Sequence, residues 1–282
     1  MARRFIHSEP TSRLAIWARR TAGFALLASF LAIIIVRSGL LEIWPALATF
    51  AGALATAVVA LLLAFAAFVV IWMEGLAGMG AALTAMAVSL ALLAYPSYLG
   101  IKAFRLPWIY DITTDPIDPP RYDALSRLRP RDANPIAYAG LYAAEQQRKA
   151  YPDVGPLATN ATPQAAYDAA LAVVNRRKWR VVDARAPQAG RREGHIEAVA
   201  RTPIMGFRDD VSIRVRAETD GARIDARSSS RYGSFDFGTN ASRVRALMNE
   251  IEDAIRAQRP ERPPAQPSAK KSTPGKKDQS KK

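Results

Sequence analysis

The sequence predicts an α+β protein in two parts: a module of three transmembrane helices, then a two-layer domain of helix, four antiparallel strands and helix. Three observations carry this reading. The 81 residues between Arg20 and Lys102 hold only three charged side chains, Arg37, Glu42 and Glu74, and residues 44–73 hold none. An apolar helix of about 20 residues, rising ~1.5 Å per residue, crosses a hydrocarbon core ~30 Å thick, so this run suffices for several crossings. After Lys102 the pattern changes to turn-rich segments and apolar–polar alternation, flanked by two stretches of helical period.

In chain order, residues 1–20 form a basic leader with Arg3, Arg4, Arg13, Arg19 and Arg20. The first span covers residues 21–36, extended by 14–17 on one side or 40–41 on the other, with Arg19, Arg20 and Arg37 reaching toward head groups. Its charged leader and apolar core look like a signal peptide, but no small-x-small site follows Val36, so it reads as an uncleaved anchor. The second span, 44–73, has Pro45 in its first turn and Trp44 and Trp72 at its two ends. The third, 76–101, follows so closely that the two form a helical hairpin. Gly52, Ala53, Gly75, Gly78, Gly80, Ala81 and Ala82 are small enough to let helices approach in lipid.

Lysine and arginine beside the spans mark the cytoplasmic side. The leader has five arginines, the loop after the first span has only Arg37, and the loop after the second has none; Lys102 and Arg105 pull weakly the other way. The expectation is a multi-pass protein of a bacterial inner membrane, N-terminus cytoplasmic and residues 102–282 periplasmic.

Residues 102–161 read as an extended, proline-rich connector with a short helix over 135–149. Asp111, Asp115 and Asp118 are spaced like ligands of a hard cation, but Asp before Pro is ordinary turn chemistry. The domain proper spans 162–258. Thr162-Pro163 opens a helix with Tyr167, Ala170, Leu171 and Val174 on one side. Strands follow at 179–186, 195–201, 211–218 and 223–231, the last two joined by an Asp220-Gly221 hairpin. A final helix starts near Thr239 or Asn240 and lines up Val244, Leu247, Met248, Ile251 and Ile255. Residues 259–282, Lys/Pro-rich with a net charge of +6 and no apolar periodicity, read as a disordered tail. The folded region 102–258 is only mildly basic at +5, so nucleic acid is not an expected partner.

Alternation sorts the strand faces. Ile213, Val215, Ile224 and Ala226 point toward the helices, whereas Ser212, Arg214, Arg216, Arg223, Asp225, Arg227 and Ser229 point away. An arginine-dense sheet face is either solvated or covered by the 110–150 segment, or it is a groove for an anionic ligand held by bidentate guanidinium groups. On the second reading the candidate binding residues are Arg214, Arg216, Arg227, Ser229, Arg231 and Tyr232, with Asp209 and Asp210.

Catalytic constellations are sparse. His195 and Glu197 share a strand face without an identifiable third ligand, and neighbouring Asp209 and Asp210 enter a strand facing opposite ways. Ser228–Ser230 lacks a nucleophile elbow, and no glycine-rich phosphate loop is present. With no cysteine there is no disulfide and no thiolate nucleophile or ligand. No catalytic residue, metal or cofactor is predicted.

The runs Phe207-Arg-Asp-Asp-Val, Arg227-Ser-Ser-Ser-Arg-Tyr-Gly and Asp236-Phe-Gly-Thr-Asn-Ala-Ser-Arg resemble the signature of the DUF1499 family. Asp111-Ile-Thr-Thr-Asp-Pro-Ile-Asp-Pro-Pro and Tyr151-Pro152-Asp153 look like its membrane-tethered branch, so the resemblance covers about residues 108–255. Many relatives carry an early Asn-Cys-Val-Ser element, from which this cysteine-free chain departs. The resemblance supports the domain boundaries and points to no particular activity. In the matched block Arg227 and Arg231 can pair with Asp209, Asp210 or Asp236, Gly233 and Gly238 permit turns, and Asn240 can cap the last helix. With Tyr232, Phe235 and Phe237 interleaved, the same block is what a ligand-binding loop would need.

The leading expectation is a binding or assembly module in the cell envelope, with the lipid bilayer and an envelope protein or an anionic lipid or glycan as partners. A second is a tethered hydrolase or transferase using Asp209, Asp210, His195 or Ser229. A transporter or channel subunit ranks last, because charge lies only at the span ends.

Overall fold

The computed structural model describes residues 10–39, 42–188 and 193–258. Most of the basic leader, the 40–41 extension and the tail expected to be disordered lie outside the described residues. Three helices, α1 (Arg13–Ser38), α2 (Ile43–Glu74) and α3 (Met79–Ala103), form an antiparallel bundle. Each is long and apolar enough to cross a membrane.

The bundle is held by an alanine seam. On α1 the buried residues are Ala15, Ala18, Ala22, Ala25, Ser29, Ala32 and Val36; on α2 they include Ala53, Ala57, Ala60, Ala64, Ala67 and Ile71. Both sets step by three and four residues, the spacing that keeps one stripe facing a partner helix. Methyl side chains let the backbones come close, and α3 adds Ala82, Ala85 and Ser89. This corrects the small-residue reading in part: Ala53 and Ala82 are buried, but Gly52 and Gly80 have open space where a Cβ would stand. The bulky side chains Phe24, Phe30, Leu62 and Phe65 point outward, an apolar surface that water does not favour and lipid does.

Trp17 and Trp72 lie toward one end of the bundle, and Trp44, Phe104 and Trp108 toward the other, all exposed. The 28 residues from Trp44 to Trp72 rise about 42 Å, close to the ~40–45 Å of a bilayer with its head groups. At the first end Ser12 N–H donates to the Ala77 carbonyl (2.9 Å) and Ala77 N–H to that of Pro10 (3.1 Å), tying the chain start to the α2–α3 turn.

The remaining elements are β1 (Asp111–Thr113), α4 (Ala124–Leu128), α5 (Gly140–Ala150), β2 (Leu157–Thr159), α6 (Pro163–Arg176), β3 (Arg180–Arg185), β4 (Glu193–Arg201), β5 (Arg208–Glu218), β6 (Gly221–Ser230) and α7 (Thr239–Gln258). The antiparallel sheet runs β1-β6-β5-β4-β3, with β2 also on β6. It therefore has six strands where four were expected. Both additions come from the region read as connector and share the outer edge of β6, β1 opposite residues 227–229 and β2 opposite 222–224. An unpaired edge exposes a row of backbone donors and acceptors, and strands of three residues carry too little alternation to be read. Gly221 marks the crossing of β2: its φ is +148°, and a Cβ there would stand 2.0 Å from the Thr159 carbonyl oxygen.

Helices α6 and α7 cover one sheet face, burying Ile196, Val211, Ile213, Val215, Ile224 and Ala226 against Val173, Val174, Val244, Leu247 and Ile251. The domain meets the bundle through the turn between β4 and β5. Arg37, in the last turn of α1, donates from Nη1 to the carbonyls of Pro203 (2.6 Å) and Ile204 (2.9 Å). Gly206, with φ +71°, passes so close that a Cβ would lie 2.9 Å from Arg37 Cγ.

Candidate functional site

The second sheet face is closed. Residues 114–136 cross it, with Tyr122 and Leu125 packed on Val199 and the strands beneath. Under this cover Arg227 is 3 % exposed and grips Asp111 with both ends of its fork, Nε to Oδ1 at 3.0 Å and Nη2 to Oδ2 at 2.6 Å. The same guanidinium donates to the Ile136 carbonyl (2.7 Å) and lies 4.6 Å from the centre of the Tyr122 ring. Burial works against the charged form of both partners. It raises the Asp111 carboxyl above its ordinary pKa, whereas for Arg227 burial pulls downward but Asp111, Tyr122 and Tyr138 together outweigh it and the net shift is upward.

Asp210, fully buried, accepts from Arg231 Nε (2.9 Å) and Nη2 (2.7 Å) on one oxygen and from Arg129 Nε (2.7 Å) on the other. Arg129 also reaches Ser229 Oγ at 3.2 Å. Toward the other end of the sheet Arg214, Arg216 and Arg223 converge on Asp115 and Asp225. Asp209 points to the helical face, as alternation demands, and is held by Arg243 at 2.5 Å; burial raises its carboxyl nonetheless.

Of the eight candidate binding residues, the structure thus gathers Arg214, Arg216, Arg227, Ser229, Arg231 and Asp210 on one face, with Asp209 on the other and Tyr232 at the sheet end. Carboxylates of the chain itself stand where an anion would sit against Arg227 and Arg231, so this face is not an open groove at those positions. The expected cap by Asn240 is also corrected. Asp236 caps α7, accepting from the N–H groups of Gly238 and Asn240 (both 2.8 Å), while the Asn240 amide donates to the Tyr110 carbonyl and Ser230 Oγ (both 2.9 Å).

The cover brings Asp123 to His195 and Glu197, and ligand atoms of the three lie within 4.8 Å of one another. Glu197, however, is already held within the chain. Glu197 Oε1 accepts from the backbone N–H of Asp123 (2.8 Å) and Ala124 (3.0 Å) and from His195 Nε2 (3.0 Å), and Oε2 accepts from Leu125 N–H (2.7 Å). Three of these four bonds come from backbone N–H groups at the start of α4, and the fourth ties the carboxylate to His195. Arg185 Nη2, 2.7 Å from Asp123 Oδ2, supplies the local positive charge. The geometry is that of a structural cap.

These hydrogen bonds outweigh burial and pull the Glu197 carboxyl down from 4.5 to about 2. A depressed folded-state pKa stabilises the protein above the unfolded value, and the contribution is lost as pH falls through the folded one. Wild type should therefore lose stability between pH 4.5 and about 2, and Glu197→Gln should flatten that limb. Melting temperature against pH for the pair measures it, and parallel curves would show Glu197 to be uninvolved. Asp111, Asp209 and Asp236, raised chiefly by burial, run the opposite way and cancel in this difference.

A second basic group lies at the end of the sheet facing the bundle. Arg201 and Arg208 stand opposite each other where β4 meets β5, and Arg180 is opposite Val199 beside them. All three are exposed, and among the described residues none has a carboxylate partner. Partial burial and the charges of Arg201, Arg231 and Arg180 lower the Arg208 pKa from its ordinary value, yet an arginine stays charged at any physiological pH. Sequence reasoning missed this edge. Its signal was present: two arginines bracket the apolar turn Pro203-Ile-Met-Gly-Phe, of which Ile204 is exposed.

No curated protein matches this chain. Residues 111–251 match the family model described as "Protein of unknown function (DUF1499)", the span that holds the whole sheet, its cover and most of α7, and the chain belongs to that family.

Proposed function

We propose that the protein is an integral component of a bacterial inner membrane, N-terminus cytoplasmic and α+β domain periplasmic, and that the domain rests on the lipid surface as a binding or assembly module for an anionic component of the envelope. The observation that carries this reading is the unpaired arginine edge of Arg180, Arg201 and Arg208, set at the bundle end that bears Trp44 and Trp108. Tryptophan favours the level of the head groups. Each basic residue near an anionic surface is worth about 1 kcal/mol, and arginine's planar fork matches phosphate and carboxylate. The leader's five arginines support the orientation, and the edge does not oppose it, because folded domains translocate largely regardless of charge.

The test is crosslinking and affinity purification from native membranes, followed by identification of the bound lipids, glycans and proteins. Wild type should retain anionic components that a variant with all three edge arginines changed to Gln does not. Identical captures from the two would contradict the reading.

A further inference from the structure

A cavity of about 320 Å³ opens where the end of α1 and the start of α2 meet the β4–β5 turn. One side is apolar, formed by Val36, Ile43, Ala46 and Phe207; the other carries Arg37 and Arg208. Resting on the reading above, we propose that this cavity holds the phosphate group of one anionic phospholipid, with the start of its acyl chains along Val36 and Ile43.

The polar end supplies the donors. Arg208 Nη2 lies 3.5 Å from where a Cβ on Gly39 would stand, so the guanidinium sits over the end of α1. It has no hydrogen-bond or carboxylate partner among the described residues. Arg37 spends Nη1 on the Pro203 and Ile204 carbonyls, and its remaining N–H groups have no partner among the described residues. Two guanidinium groups with free donors on one small cavity suit an oxygen-rich anion.

Two carboxylates also border the cavity, Asp132 and Glu42. Asp132 lies beside the Tyr232 hydroxyl, and Glu42, at the N-cap of α2 without a side-chain cap bond, sits where the helix dipole favours negative charge. Arg231, also on the lining, belongs to Asp210. The excess on the cavity and its adjoining edge is positive, from Arg37, Arg208, Arg201 and Arg180. The apolar wall selects an amphiphile over a free anion, because inorganic phosphate gains nothing from Val36, Ile43 or Phe207.

Native mass spectrometry of the full chain in detergent, titrated with phosphatidylglycerol or phosphatidylcholine, tests the proposal. Wild type should hold one phosphatidylglycerol in preference to phosphatidylcholine. Arg208→Gln removes no hydrogen bond or carboxylate pair among the described residues and should weaken that binding about tenfold, the equivalent of ~1.4 kcal/mol, with little change in melting temperature. Equal losses in Arg201→Gln and Arg208→Gln would place lipid along the edge at large and overturn the cavity while leaving the proposed function standing. Displacement by millimolar inorganic phosphate would overturn a lipid as the occupant. No preference for phosphatidylglycerol in wild type would overturn the cavity, whereas the capture from native membranes decides the broader reading separately.

Discussion

Replacing Arg227 with alanine should destabilise the domain rather than release a ligand. The substitution strands Asp111, 1 % exposed, beneath residues 114–136 with its main counter-charge gone. Breaking one partner of a buried ion pair costs about 3–5 kcal/mol, because the remaining charge stays desolvated. Here the Ile136 carbonyl and the Tyr122 ring lose a partner too. At roughly 2–4 °C per kcal/mol for a domain of this size, the near-UV circular-dichroism melt of the full chain should fall by about 10 °C. Lysine would not rescue it, since one ammonium cannot span both oxygens. The double variant Asp111→Leu with Arg227→Met should recover much of the loss, because an apolar pair of similar volume needs no desolvated charge. An Arg227→Ala protein that melts like wild type but no longer retains an anion would return Arg227 to the binding site.

Changing Arg180, Arg201 and Arg208 together to Gln should do the reverse, leaving the fold and removing the binding. None of the three has a carboxylate to strand among the described residues, so melting should stay within a degree or two of wild type. Three charges at about 1 kcal/mol each amount to a loss of roughly a hundredfold in affinity for anionic components. The wild-type interaction should also weaken as salt shortens the Debye length, from ~10 Å at 0.1 M to ~3 Å at 1 M, and the triple variant should be nearly insensitive. Retention by the triple variant at wild-type strength, with the same salt response, would mean that the edge does not bind.

Much of the fold was legible because it rests on pattern. The apolar run announced three helices, and alternation sorted Ile213, Val215, Ile224 and Ala226 from Arg214, Arg216, Asp225 and Arg227. What stayed hidden depends on contacts between segments far apart in sequence. β1 and β2 have only three residues each and exist because β6 has an edge to fill. Arg227 meets Asp111 across 116 residues, so alternation could place the arginine on a face but not name its partner. The same distance hid the role of Asp210, which needs Arg129 from the cover as well as nearby Arg231. Candidate site residues were chosen by density of charge, and density alone does not distinguish a paired guanidinium from an unpaired one. The pairs lie under residues 114–136, and the unpaired arginines lie at the strand ends, beside a turn whose apolar residues gave the clue.

The orientation of the domain on the membrane is tested most directly by two single cysteines in this naturally cysteine-free chain. Ile204→Cys sits in the turn against the bundle, and Thr219→Cys sits in the exposed hairpin at the opposite end of the sheet. A membrane-impermeant maleimide is applied to intact cells with a permeable outer membrane, and the rates at the two positions are compared before and after detergent. Position 219 should label rapidly in intact cells, and position 204 slowly, at a rate that rises when lipid is removed. Equal rates at both positions would lift the basic edge off the lipid, and labelling at 219 only after lysis would put the domain in the cytoplasm.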